Sequence, residues 1–200
     1  MISKPKFKIG RRLGAGVYDK CQTSKFAASS SKMLPGGRRP KAPTEYGAQL
    51  IEKQKTRFSY GITERQLSNY VKKASNIKGA GTAEKLYESL ESRMDNVIYR
   101  MGLGGSRRAA RQMVSHGHFI INGQRVTIPS YEVKLGDVIK VREGSKTKKI
   151  FENLAGRLKD YKAPAWTSFD VVSMEGKMLS KPKNTETFLD LNAVLEFYSR

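Results

Sequence analysis

Arg107, Arg108 and Arg111 fall on one side of a helix when residues 106–116 are wound at about 100° per residue, with Ser115 beside them. A guanidinium is a planar fork of donors that stays charged in proteins, and its natural partners are the paired oxygens of phosphates and carboxylates. Ala109, Ala110, Met113 and Val114 take the opposite side, where small side chains let the helix lie close to its own domain. Ser106 can cap the amino end, and the unpaired amides there can receive a phosphate oxygen. The chemistry offered is a grip on a polyanion's backbone. A merely solvated cationic face is the simpler alternative, but nothing acidic sits at the i+4 positions to neutralise these charges.

Other chemistries find no support. His116 and His118 have neither a neighbouring cysteine nor a carboxylate series for metal or nucleophile work. Cys21 is the single cysteine, so an internal disulfide and a cysteine-based zinc site are both excluded. Gly102-x-Gly104-Gly105 follows a helix rather than a strand, unlike a dinucleotide loop. We expect no enzyme, no cofactor and no metal.

Charge points the same way. The 200 residues carry 38 Lys and Arg against 18 Asp and Glu, a formal net charge of +20. A fold with that excess repels itself unless a polyanion is near, and nucleic acid is the first candidate. No apolar run of 18 residues and no lipidation or secretory signal is visible, so the reading is an intracellular protein without a membrane partner. The excess is +10 over residues 1–44, +3 over 45–90, +7 over 91–150 and zero over 151–200. Two segments therefore carry the expected contact surfaces.

The elements that position the arginines follow from pattern. After the cationic helix comes Phe119-Ile120-Ile121, then Asn122-Gly123, then Gln124-Arg125-Val126, a strong hairpin signal. Val138 to Arg142 alternates, placing Lys140 and Arg142 opposite Ile139 and Val141. Earlier, Tyr46, Leu50, Ile51, Gln54 and Phe58 share one side of a predicted helix. Thr63 with Gln66 forms a capping box for a second, whose apolar stripe runs from Leu67 to Ile77. The series from Ala83 to Met101 keeps helical spacing, but Ser92-Arg93-Met94-Asp95 is itself a cap pattern, and a domain boundary is placed there. Residues 1–44, with few apolar residues and several Gly and Pro, read as a basic extension that orders on a partner, or else as a solvated tail. The expected fold is α+β: a helical domain over 45–91, completed by 176–200, and an RNA-binding module over 92–175, two helices plus a short antiparallel sheet with the helix or strand that follows.

Arg93-x-Asp95-Asn96-Val97-Ile98-Tyr99-Arg100-Met101-Gly102, Ser106-Arg107-x-x-Ala110-Arg111-Gln112-x-Val114-Ser115-His116-Gly117 and Ile121-Asn122-Gly123-x-x-Val126 closely resemble the RNA-binding module of the ribosomal protein S4 family. Glu45 to Lys55, Tyr60 to Gln66 and the closing Phe197-Tyr198-Ser199-Arg200 resemble the same family. The likeness covers most of residues 35–200.

The resemblance implies a structural constituent of the small ribosomal subunit. It would bind small-subunit rRNA, nucleate assembly of the subunit body, neighbour other small-subunit proteins and influence translational accuracy. Cytoplasmic ribosomes are the expected location, an organellar one staying open. Carried over residue by residue, the implied RNA contacts are Arg107, Arg108, Arg111, Gln112, His116, Asn122 and Lys140, with Lys53, Lys55, Arg57 and Arg65 from the first helices. Arg11 and Arg12 join them from the basic extension. Arg93 and Asp95 match the family pattern either as contacts or as braces of the helix. The usual Pro-Gly-Gln-His-Gly reads Pro35-Gly36-Gly37-Arg38-Arg39 here, so the contacts of that histidine are absent; Arg38, Arg39 and Lys41 could hold RNA instead, including messenger at its entry path. An RNA-modifying enzyme using this module as a grip would need a large catalytic domain, and only 58 residues follow Arg142. A nonspecific packaging protein has no need of charge gathered beside a hairpin.

Overall fold

The computed structural model describes residues 5–31, 42–77, 81–159, 161–183 and 188–200, apart from the side chains of 28–31. In chain order the helices are α1 (Lys6–Leu13), α2 (Ser24–Ser31), α3 (Glu45–Ser59), α4 (Glu64–Ser75), α5 (Thr82–Glu91), α6 (Met94–Arg100), α7 (Arg107–Ser115), α8 (Glu143–Lys146), α9 (Leu154–Leu158) and α10 (Leu191–Ser199). The strands are β1 (Phe119–Ile121), β2 (Gln124–Val126), β3 (Val138–Val141), β4 (Thr167–Asp170) and β5 (Glu175–Met178). The fold is α+β, as expected. Two compact units divide it: Met1–Ala83 with Thr185–Arg200, and Glu84–Asn184.

Residues 5–31 form short helices and turns rather than an extended arm. α1, the 3₁₀ turns Ala15–Val17 and Asp19–Cys21, and α2 bury Leu13, Val17, Cys21 and Phe26 within the first unit. A count of apolar residues misses this because glycines make the packing close. A Cβ on Gly10 would meet Cys21 Sγ at 2.6 Å, and one on Gly16 would meet the Phe188 ring at 2.7 Å.

α3 also packs differently from its apolar pattern. Tyr46 is 51% exposed, whereas Gln49, Lys53, Thr56 and Ser59 are buried. α10 lies along α3 and supplies polar and aromatic partners: Gln49 Nε2 donates to Glu196 at 3.0 Å, and Lys53 Nζ sits 4.2 Å from the Phe197 ring centre. These contacts offset the burial of Gln49 Nε2 and Lys53, whereas Thr56 Oγ1 and Ser59 Oγ are buried with no hydrogen-bond partner. The Thr63 and Gln66 capping box forms as read, at 3.3 and 3.0 Å.

In the second unit α5 and α6 are separate helices that meet at Ser92 and Arg93. Arg93 takes the N-cap position without capping through its side chain, which turns to Asp95 instead. Ser106 caps α7 by accepting from the Ala109 amide at 3.3 Å. The Asn122-Gly123 pair turns the hairpin, with φ of 47° and 86°, the left-handed values such a tight turn requires. The sheet is antiparallel throughout, in the order β2-β1-β3-β5-β4. α6 and α7 cover it with Met94, Val97, Ile98, Met101, Ala110, Met113 and Val114, in one core with Phe119, Ile139, Phe151 and Trp166.

The units differ from the expected domains. By contacts the division falls at Glu84, inside α5, while the helices themselves part at Ser92, where the boundary was expected. Residues 175–177 pair with β3 and 175–178 with β4, so only residues from Thr185 onward complete the first unit, rather than 176–200.

Candidate nucleic-acid interface

α7 presents its arginines from a scaffold of buried carboxylates. Glu91, fully buried, accepts two hydrogen bonds from Arg100, both at 2.8 Å, and its Oε1 lies 3.9 Å from Arg107 Nη2. Arg107 Nε donates to Asn96 Oδ1 at 2.7 Å, and its guanidinium lies 4.6 Å from the Tyr99 ring centre. Asp95 accepts from Arg93 Nε and Nη2 at 3.1 and 2.9 Å. It also accepts from Arg111 Nε at 2.7 Å, with Arg111 Nη2 at 2.6 Å. No acidic residue sits at the i+4 positions within α7, but carboxylates reach this face from α5 and α6. Sequence reading missed Glu91, Asn96 and Arg100 as members of this site. The one visible signal was an acidic pair, Glu91 and Asp95, in a strongly basic segment.

Each carboxylate is shared by two or more arginines, so the face keeps a positive excess. The bonds also fix the arginine side chains, which reduces the entropy lost when they meet a phosphate. Arg108, Gln112 and His116 are exposed along the same helix and its end.

The remaining candidates divide by environment. Lys140 is exposed on β3 and paired with Glu175. Asn122 is exposed, but its side chain is used within the protein: Oδ1 accepts from the Val138 amide at 3.0 Å and Nδ2 donates to Asp137 at 2.8 Å. It clasps the hairpin to β3. In the first unit Lys53 donates to Glu64 at 2.9 Å, Arg57 to Glu64 at 3.1 Å, and Lys55 to Glu52 at 2.6 Å. Tyr198 donates to the same Glu64 at 2.7 Å. Burial pushes the Glu64 carboxyl up, but the hydrogen bonds from Lys53, Tyr198 and Arg57 outweigh it and hold its pKa below the usual range. Burial, then the Glu64 carboxylate, pushes the Tyr198 phenol up. Arg11, Arg12 and Arg65 are exposed. Arg38, Arg39 and Lys41 lie outside the described residues.

His118 is buried, its Nδ1 2.9 Å from Ser145 Oγ and its ring edge-on to Phe151. Burial lowers its pKa from the ordinary 6.5, and the positive charges of Lys148, His116, Arg142 and Arg125 lower it further. The fold therefore favours neutral His118, while the unfolded chain takes the proton first as pH falls. Its contribution to stability is present above about pH 6.5 and is lost as pH falls from there through the depressed value. Urea midpoints measured from pH 8 to 5 are expected to fall below pH 6.5 in the native chain and to fall less in a His118→Gln variant. Parallel curves would refute this assignment.

Among the described residues no three His, Cys, Asp or Glu side chains gather as a metal site, and no helix is long and apolar enough to cross a membrane.

The second unit, a hairpin-bearing antiparallel sheet under an arginine-faced helix, belongs to the class of S4 modules: residues 92–139 match the S4 domain. Residues 2–91 match the ribosomal protein S4/S9 N-terminal domain. The chain is 44% identical over 200 residues to small ribosomal subunit protein uS4 of Acetivibrio thermocellus, covering 96% of each chain. It is 45% identical over 203 residues to that of Chromobacterium violaceum, covering 98% of this chain and 97% of the relative. For Chromohalobacter salexigens the identity is 41% over 201 residues, with the same coverage. The chain belongs to the bacterial-type uS4 family of ribosomal proteins.

Proposed function

We propose that the protein is a structural constituent of the small ribosomal subunit that binds small-subunit rRNA directly through the exposed face of α7. The carrying observation is the pair of buried carboxylates, Glu91 and Asp95, that hold Arg107 and Arg111 in place along a basic helix. Arg108, Gln112 and His116 extend this surface, and Lys140 adds a cation on β3. Arg11, Arg12 and Arg65 are the exposed cations of the first unit. Lys53, Lys55 and Arg57 are assigned to RNA with them, each steadied by a carboxylate as Arg107, Arg111 and Lys140 are. Family membership supports the further roles of nucleating subunit assembly, neighbouring other small-subunit proteins and influencing accuracy in cytoplasmic ribosomes. Arg38, Arg39 and Lys41 are assigned to RNA, including messenger at its entry path. No catalytic role is assigned.

Cosedimentation with small subunits in a sucrose gradient tests the placement, and rRNA binding in competition with bulk transfer RNA tests selectivity; equal affinity for both would overturn it. An Arg107→Ala/Arg111→Ala variant keeps Arg100 on Glu91 and Arg93 on Asp95, so it is expected to fold. Its rRNA affinity should fall about tenfold or more, and the slope of log affinity against log salt should shrink by about 2, as each phosphate contact releases about one counterion. An unchanged slope in the folded variant would remove α7 from the interface.

A further inference from the structure

Asn122 and Gly123 are the exposed tip of the β1–β2 hairpin, and an asparagine followed by glycine is the dipeptide most open to attack by its own backbone. Gly123 has no side chain, and nothing stands within 4 Å of where a Cβ would be, so its nitrogen is unshielded. The turn before β3 holds the Asn122 carboxamide. Its Oδ1 accepts from the Val138 amide at 3.0 Å and its Nδ2 donates to Asp137 Oδ1 at 2.8 Å, while the Asn122 amide donates to the Val138 carbonyl at 3.1 Å. Asp137 is fixed in turn: its Oδ2 accepts from the Lys134 amide at 2.8 Å, and its own amide donates to the Lys134 carbonyl at 3.1 Å. Both polar atoms of an exposed side chain are thus engaged by a separate chain segment.

We propose that Asn122 is a deamidation site whose rate is set by the Asp137 clasp, and that its modification releases the hairpin from β3 in one direction only. The Gly123 nitrogen bonds to Asn122 Cγ and gives up its proton; the Cγ–Nδ2 bond breaks, and Nδ2 departs with that proton as ammonia. Water then opens the succinimide at either carbonyl, leaving aspartate or isoaspartate, and no oxidant or reductant takes part. Ring closure requires the carboxamide to turn from β3 toward the Gly123 nitrogen, which breaks both of its hydrogen bonds first. The reaction therefore runs from the opened hairpin, at the free rate scaled by the fraction open. The product cannot remake the clasp, because a carboxylate oxygen replaces the Nδ2 donor that stood 2.8 Å from the Asp137 carboxylate. Isoaspartate also lengthens the backbone between Ile121 and Gln124, which are paired in register across the turn. The inference stands apart from the rRNA-binding reading.

The test incubates the full-length chain at mildly alkaline pH and follows the mass gain at Asn122 in the tryptic peptide 112–125. Asp137→Ala is expected to deamidate about fivefold or more faster than the native chain, as the loss of one charge-assisted hydrogen bond implies, and the urea-unfolded chain faster still. A native chain that reacts as fast as the unfolded one, or an Asp137→Ala variant no faster than native, would overturn the proposal. The second measurement is the urea midpoint reported by Trp166, buried in the same unit. Asn122→Asp carries the charge of the product and should lower the midpoint, although an added carboxylate offsets part of a net charge of +20. Asn122→Asp/Asp137→Asn exchanges carboxamide and carboxylate across the clasp, so that each donor again meets an acceptor, and should recover the native midpoint. A native midpoint for Asn122→Asp, or no recovery in the exchanged pair, would overturn the one-way release. If Asp137→Ala fails to fold, these midpoints decide.

Discussion

An Asp95→Ala variant is expected to lose about 3–5 kcal/mol of second-unit stability, the usual cost of stripping one partner from a buried ion pair. Arg93 and Asp95 are each 3% exposed, so removing the carboxylate leaves a guanidinium in a buried setting. The loss is large against the roughly 5–15 kcal/mol by which natural domains are stable. Trp166, the single tryptophan, is buried in the second unit's core, so urea denaturation followed by its fluorescence reports this unit. Asp95→Asn keeps the shape and one acceptor and should lose less. RNA affinity should fall in both variants, because Arg111 loses the carboxylate that orients it. A native urea midpoint for Asp95→Ala would show that Arg93 finds another partner and that the carboxylate is dispensable.

Phe119→Ala should be nearly as damaging, at about 3–5 kcal/mol, for a different reason. Phe119 is fully buried, pairs in register with both Val126 and Val141, and stands edge-on to Phe151 at 6.2 Å. Removing the ring leaves a cavity where three strands and the segment after α8 converge, and strands already paired on both sides cannot collapse to fill it. Phe119→Leu retains most of the volume and should cost under half as much. The measurement is again the Trp166 urea transition, and equal midpoints for the two variants would refute the cavity argument.

Local chemistry made much of this legible. The Thr63 and Gln66 cap, the Ser106 cap and the Asn122-Gly123 turn each depend on residues within four positions of one another, and each formed as read. The site's cations were legible too, but their settings were not. Whether Arg111 meets Asp95 depends on how α7 packs across α6, which no periodicity records. The clasp of Asn122 on Val138 and Asp137 was not legible, because it joins residues 15 and 16 positions away. β4 and β5 escaped notice because Thr167–Asp170 and Glu175–Met178 alternate weakly. Their turn also places Met174, rather than a glycine, at a φ of 54°. The apolar pattern of α3 gave no sign of its buried polar stripe, since Glu196 and Phe197 arrive on α10.

That last pairing has a consequence for the order of events during synthesis. Gln49 and Glu196 are 147 residues apart, Glu64 and Tyr198 are 134, and Glu45 and Arg200, joined at 2.7 Å, are 155. Residues 84–184 are all synthesised before α10, and the pairings within their sheet close far shorter loops. The middle of the nascent chain can therefore fold and present its arginines while α3 still lacks its partner. The helical unit closes only once α10 is made, and RNA can meet the protein through its interior segment first.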